Sequence, residues 1–339
     1  MLNLKTFLLS IIIFSNVIFA KEFDQLFKVY TPINNTSDIE KSINNSFNVM
    51  IYRLSGSESP SNIWKIINAG NTRKDFIKSY SLRNIEGNGF LEVIFNKDYL
   101  IDVFDGLSIP VVGNSRPVIL FMINVDSGTK KPYVLSNYVS NNDLDHKINH
   151  FLNQTSKSRG IFLELPELDL FNMNEIKNYE KLINTKELIS SQYNFDLFTE
   201  INITKIGPNK WSVTGDMQFE YEGEAFEAYF INNLDNFVNN KIDNLLDKQK
   251  IEMSNIINLK ATFLNIKNYE DYKNLKKVID NLVGIKSTNI SRFNKNSIYY
   301  DIEVYGNLSN FINEISDSSY INIDKFDILK SEIVMSFES

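Results

Sequence analysis

Hydrophobic residues in the first third of the chain recur first at helical and then at strand spacing. Five of them, three or four positions apart, predict an amphipathic helix over 37–54: Ile39, Ile43, Phe47, Met50 and Leu54. The surrounding pattern predicts a strand, a second helix, two strands paired across Glu86-Gly87-Asn88-Gly89 and a closing helix, at 26–31, 61–70, 76–82, 90–95 and 98–107. The sequence thus predicts a first domain over 21–114 with the order β-α-α-β-β-α.

The middle of the chain opens with a strand that should be buried. Val118–Ile123 is a continuous apolar run, which is typical of a strand covered on both faces. A helical pattern over 142–157 follows, and Gly160 is well placed to end that helix. A short strand over 161–165 and helices within 173–192 are predicted next.

Apolar and polar residues then alternate strictly over 211–221, which predicts one half-buried strand. Strands predicted at 196–206 and 225–231 flank it and would complete a three-stranded antiparallel meander. The predicted middle domain over 115–232 is therefore α/β with an antiparallel half.

A linking helix and a third domain complete the predicted organisation. Apolar residues at helical spacing within 233–256 predict the linking helix. The pattern over 257–339 predicts a ferredoxin-like β-α-β-β-α-β domain, with elements at 259–263, 269–282, 285–292, 298–304, 308–315 and 328–337. The predicted fold class is a mixture of α+β and α/β in three small domains.

The first residues have the pattern of a secretory signal peptide. Lys5 supplies a positive charge, Phe7–Phe19 is mostly apolar, and Ala20 is the small residue expected before a cleavage site. The apolar stretch is shorter than the roughly 20 residues of a membrane-spanning helix. We predict cleavage after Ala20 and a periplasmic or secreted protein; the alternative is an uncleaved anchor. Because no second apolar run of membrane length follows, no membrane span is expected in the mature chain.

Composition and charge exclude several functional classes. The 339 residues include no Cys, which excludes disulfides, thiol catalysis and zinc sites built on Cys. The net charge of -7, from 42 acidic and 35 basic residues, argues against nucleic acid as a partner. The segments 87–89 and 126–130 lack the complete dinucleotide and phosphate-loop motifs. No cofactor, metal or catalytic constellation is predicted.

Five short motifs follow one another along the chain: Arg53-Leu54-Ser55-Gly56, Ile109-Pro110-Val111-Val112-Gly113, Arg116-Pro117, Arg159-Gly160 and Leu165-Pro166-Glu167-Leu168-Asp169. In this order and spacing they resemble an exported family of Gram-negative bacteria catalogued as domain of unknown function 2066. The resemblance covers most of the mature chain and implies an envelope protein of unassigned function. It assigns no catalytic residues. Six positions within these motifs are expected to be structural: Arg116, Pro117, Arg159, Gly160, Pro166 and Asp169.

Two groups of side chains could support chemistry. His146 and His150, four residues apart on one predicted helix, could share a metal ion, but the helical period places both opposite the apolar stripe, facing solvent. Glu164 and Asp169, with Glu167 between them, could act as general acid and base. The alternative is that Asp169 caps the next helix and Glu164 points outward from its strand.

Arg116 and Arg159 could bind an anionic ligand or could fix a domain interface through carboxylates and helix carbonyls. We favour the structural role for both. The middle domain is also similar, at fold level, to N-terminal domains of periplasmic translocation and assembly proteins, which favours a binding role. We therefore expect a non-catalytic protein-binding or assembly module with an envelope protein partner. The alternative is a hydrolase acting on an envelope polymer through the carboxylates near Glu164 and Asp169.

Overall fold

The computed structural model describes most of the chain beyond the predicted signal peptide. The described residues are 21–23, 25–33, 38–85, 87–129, 131–137, 142–167, 187, 189, 192–316, 318 and 320–338. The predicted signal peptide over 1–20, Asp169 and nearly all of the helical region predicted over 173–192 lie outside the described residues.

The first domain is an antiparallel sheet covered on one face by helices. Its elements are β1 (Lys21–Glu22), β2 (Lys28–Pro32), α1 (Ile39–Ser55), α2 (Ser61–Asn68), a short 3-10 helix (Arg73–Phe76), β3 (Ile77–Ile85), β4 (Asn88–Phe95) and α3 (Lys97–Gly106). The sheet has the order β2-β4-β3, and β1 pairs outside it. From β2 to α3 the predicted order β-α-α-β-β-α is confirmed.

The middle domain is built on a mixed six-stranded sheet. Its elements up to the meander are β5 (Val111–Val112), β6 (Ser115–Arg116), β7 (Val118–Asp126), β8 (Tyr133–Val134), α4 (Asp143–Arg159), β9 (Phe162–Glu164), β10 (Leu197–Lys205), β11 (Lys210–Gly215) and β12 (Phe219–Glu222). The strand order is β12-β11-β10-β7-β8, and β9 also pairs with β7. Residues on both faces of β7 are buried in separate apolar clusters, as its continuous apolar run predicted.

The meander exists, but its predicted strand boundaries were wrong. Residues 211–221 form a hairpin of two strands, in which Trp211 lies opposite Tyr221. Odd-numbered residues pair with odd-numbered residues across this hairpin, so their side chains lie on the same face of both strands. The alternation of apolar and polar residues therefore continues through the turn and resembles that of a single strand. Gly215 marks the break: its φ is +101°, and a Cβ there would lie 2.3 Å from the Glu200 carbonyl oxygen. Strand β12 is therefore the third strand of the meander.

Residues 225–231, predicted as a strand, instead begin the longest described helix, α5 (Phe226–Gln249). Phe226 and Phe230 continue the helical stripe of Leu234 and Val238 onto the middle sheet. The aromatic β-formers at the start of this segment obscured its helical period.

The main sheet of the third domain has five strands where four were predicted, and the domain also has a two-residue strand outside this sheet. Its elements are β13 (Lys250–Ile251), β14 (Ile256–Leu264), α6 (Tyr269–Asn281), β15 (Ile285–Asn294), β16 (Ser297–Tyr305), α7 (Leu308–Ser316), β17 (Ile321–Asp327) and β18 (Glu332–Phe337). The sheet order is β15-β16-β14-β18-β17. The single strand predicted over 328–337 is replaced by the β17–β18 hairpin, so β18 runs parallel to β14 rather than antiparallel as in a ferredoxin-like unit. Strand β17 is largely exposed, which weakened its sequence signal.

The fold class is confirmed as mixed α+β and α/β, and the three parts share a common junction. Strand β13 pairs with β5, and β1 pairs with β6. The apolar core of the first domain also includes four residues from the last third of the chain: Ile251, Met253, Val283 and Tyr305. Among the described helices, none is both long and apolar enough to cross a membrane.

Candidate functional site

Three arginines are almost completely buried where the domains meet. Arg53 is 3% exposed, Arg116 0% and Arg159 1%. Arg116 donates hydrogen bonds to the carbonyl oxygens of Gly113 at 2.7 Å, Val112 at 2.9 Å and Arg53 at 3.0 Å. Its guanidinium thus joins the end of α1 to the segment that enters the middle sheet. The structure places Arg116 in the interior, where its guanidinium donates to three backbone carbonyls.

Arg53 makes the reciprocal connection. It donates to the carbonyl oxygens of Leu26 at 3.0 Å and Lys28 at 2.8 Å, and to that of Lys157 in α4. Burial lowers the pKa of Arg53 to about 10 and that of Arg116 to about 9, so both remain cations at neutral pH. The sequence singled out Arg53 only as the first residue of a motif, because its carbonyl partners are distant in the chain.

Gly160 ends α4 directly against Arg53. Its φ is +60°, and a Cβ at this position would lie 2.5 Å from the Cγ of Arg53. The glycine predicted from its helix-ending position is therefore required for a second reason, close packing. Pro117, which precedes β7, and Pro166, which follows β9, are both buried. The Pro117 carbonyl accepts a hydrogen bond from the Phe162 amide at 3.1 Å.

Arg159 connects α4 to α5. It donates to Asn239 Oδ1 at 3.0 Å and forms an ion pair with Asp243, while Glu58 lies 3.7 Å away. Both carboxylates are about half exposed, so the cation is buried and its counter-charges face solvent. These contacts favour the structural role over an anion site for Arg159.

A buried carboxylate at the same junction was missed by sequence reasoning. Glu314 in α7 is 5% exposed and accepts hydrogen bonds from the amides of Asn114 at 3.0 Å and Gly284 at 2.7 Å. Burial raises its pKa, while the amides and the nearby Lys97 act in the opposite direction. A Cβ on Gly113 would lie 2.1 Å from Glu314 Oε1. The only sequence signal was glycine at 113 and 284, and a glycine does not identify the side chain that packs against it.

The described candidate chemical groups lie on α4 and on or just after β9. His146 and His150 are both exposed on α4, as the helical period predicted. Glu164 lies on β9 and Glu167 is exposed, but Asp169 is outside the described residues, so the acid–base pair stays a hypothesis. Among the residues that the structure describes, no group of three or more His, Asp or Glu side chains could hold a metal ion.

The most open candidate site is a groove between α6 and the edge strand β15. Two adjoining cavities of about 460 and 240 Å³ share Tyr272 and follow the helix and the strand, and we call them together the α6–β15 groove. Its residues are Ile266, Lys267, Asn268, Tyr269, Tyr272, Lys276, Ile279, Asp280, Thr288, Asn289, Ile290, Phe293, Lys295, Ile298 and Tyr300.

The register of β15 explains why the groove is apolar. Ile290 lies opposite Tyr300, and Phe293 lies opposite Ile298. Cross-strand partners project to the same face, and Tyr300 and Ile298 belong to the core that α6 covers. Ile290 and Phe293 therefore point to the helix side of the sheet, yet they are 41% and 60% exposed.

Aromatic rings and lysines define the larger of the two cavities. Tyr272 lies between Tyr269 and Phe293, with a ring-centroid distance of 6.1 Å to each. Lys267 and Lys295 flank the rings and are exposed, and no acidic residue lines this cavity. At the other end of the groove Lys276 is paired with Asp280 at 3.0 Å. The groove is thus apolar along its length and positive at one end.

No known protein family, curated protein or solved structure matches this chain.

Proposed function

We propose that the protein is an exported, non-catalytic binding module of the cell envelope, and that it binds an extended segment of a partner protein in the α6–β15 groove. The observation that supports the proposal is the combination of an unpaired sheet edge with exposed apolar side chains beneath a helix. An added strand would continue the sheet through main-chain hydrogen bonds and would cover Ile290 and Phe293.

Two other edge strands, β12 and β17, have features that discourage strand addition. Strand β12 is only four residues long, and Glu220 on it pairs with Lys210. Strand β17 contains a bulge and the exposed charged residues Asp324 and Lys325. Strand β15 also contains bulges, but between them Ser287–Ile290 keeps a regular register beside the groove. On these grounds β15 is better suited to a partner segment than β12 or β17.

Export is supported by the signal-peptide pattern over 1–20, with cleavage expected after Ala20. The order of the five motifs, which resembles an exported envelope family, supports the same location. The buried contacts of Arg116 and Arg159 support the non-catalytic part of the proposal, because both guanidinium groups already donate hydrogen bonds to acceptors within the chain.

Site-specific photo-crosslinking in the source cells tests the proposal. A photoreactive residue replaces Ser291, which is exposed on β15 beside Phe293. We expect a discrete crosslinked adduct that disappears in Phe293→Ser and persists in Phe326→Ser. Phe326 is a matched control because it is 46% exposed on the opposite edge strand of the same sheet. Equal adducts in both variants, or no adduct, would contradict binding at this groove.

A further inference from the structure

We propose that the occupant of the α6–β15 groove is an acidic extended segment, with an apolar or aromatic side chain among the rings and carboxylates against Lys267 and Lys295. This inference rests on the proposed function and adds the chemical class of the partner. Four features of the groove support it: the shape of the aromatic end, the local charge, the charge asymmetry along the groove and the short regular edge.

The aromatic end can hold one side chain of a partner. Ile266 and Ile298 are buried at its base, and the rings of Tyr269, Tyr272 and Phe293 stand around it. Its volume of about 460 Å³ is in the range of ligand pockets. Aromatic rings at 6.1 Å spacing leave edges and faces available for a further apolar or aromatic group.

The local charge selects an anionic partner. The whole chain has a net charge of -7, yet this end of the groove presents two lysines and no acidic residue. Within the described part of the chain neither Lys267 nor Lys295 forms an ion pair, whereas Lys276 at the far end is neutralised by Asp280. A cationic ligand among the rings would be repelled by Lys267 and Lys295, so an aromatic cage for a methylated amine is disfavoured.

The charge asymmetry along the groove also predicts where acidic residues lie in the partner segment. They should flank the apolar anchor, while the residues that pass Lys276 and Asp280 need no net charge. Since the regular edge covers only Ser287–Ile290, main-chain pairing is short and the anchor must contribute much of the affinity. Exposed lysines contribute mainly to the association rate and to salt dependence.

Selection from a displayed library of random peptides of about ten residues, long enough to cross the groove as a strand, provides the test. The target is the full mature chain. We expect the selected sequences to contain an aromatic or large aliphatic residue next to Asp or Glu. The binding of one synthetic selected peptide is then measured by fluorescence anisotropy at ~50 mM and ~500 mM salt.

The charge-reversed double variant Lys267→Glu/Lys295→Glu should weaken the binding of that peptide by about tenfold or more and should remove the salt dependence of its affinity. The control is Lys325→Glu/Lys330→Glu, which reverses two exposed lysines of the β17–β18 region in the same domain and should leave binding unchanged. If peptide binding is lost in Phe293→Ser but is unaffected by the groove lysines, the acidic partner is refuted and groove binding stands. If no peptide is selected, or if Phe293→Ser does not weaken peptide binding, both proposals fail.

Discussion

Replacement of Arg116 by methionine should destabilise the whole protein, because this buried side chain satisfies three backbone carbonyls of the domain junction. Methionine keeps an unbranched apolar chain of similar length, so the change removes the guanidinium with little loss of packing volume. The carbonyl oxygens of Val112, Gly113 and Arg53 would then lose donors in a region that water does not reach.

The expected magnitude follows from those three contacts. An orphaned buried polar group costs about 1–3 kcal/mol, so three carbonyls would cost about 3–9 kcal/mol. Part of this is offset because the folded protein no longer has to bury a cation. The desolvation of that cation is large enough to lower the pKa of Arg116 to about 9. We therefore expect a net loss of about 3–5 kcal/mol in the free energy of unfolding.

Urea denaturation followed by circular dichroism measures this quantity directly. The control is Arg292→Met, which removes an exposed arginine of β15 and should change the unfolding free energy by about 0.5 kcal/mol or less. Arg116→Lys should recover only part of the loss, since one ammonium cannot reproduce the fork of the guanidinium. A loss below about 1 kcal/mol for Arg116→Met would refute the view that this arginine holds the junction together.

Two further predictions concern the same junction. Gly160→Ala should lower the free energy of unfolding by about 2–4 kcal/mol because of the positive φ of this residue and its contact with Arg53. The control Gly70→Ala, at a φ of +93° but in open space, should cost about 1 kcal/mol. Equal losses in urea titrations of the two variants would contradict the packing argument. Burial raises the pKa of Glu314 above its ordinary 4.5, so the folded state binds this proton more tightly than the unfolded state does. The stabilisation that results is fully present below pH 4.5 and is lost as the pH rises through the pKa of the folded state. The unfolding free energy of Glu314→Gln relative to the native chain should therefore increase from about pH 4 to about pH 8, and a constant difference would contradict this sign.

Local periodicity predicted those elements whose burial follows one simple stripe. Helix α1, strand β7 and the order of elements in the first domain agree with the sequence prediction. The boundary errors arose where two structures produce the same pattern. The hairpin at 211–221 preserves the alternation of a single strand, and β17 is too exposed to show an alternation at all.

The candidate sites were predictable only in part, for a related reason. Arg116 and Arg159 stood out because an arginine beside a proline or at a helix end commonly pairs with a carboxylate or with helix carbonyls and fixes an interface. Glu314 and the α6–β15 groove could not be found in this way, since each depends on contacts between residues that are distant in sequence. Tyr272 and Phe293, for example, belong to a helix and a strand whose spacing is set by the sheet.

The polar character of the junction has a consequence for binding. Apolar surfaces can slide over one another at small cost, whereas a guanidinium that donates to carbonyls of two domains is satisfied in one relative orientation only. Arg53 and Arg116 make such bonds in both directions between α1 and the middle domain, and Glu314 ties α7 to the segment around Asn114. The α6–β15 groove is therefore held at a fixed position relative to the first domain. A partner that reached from this groove to the first domain would therefore lose no affinity to the ordering of the two domains.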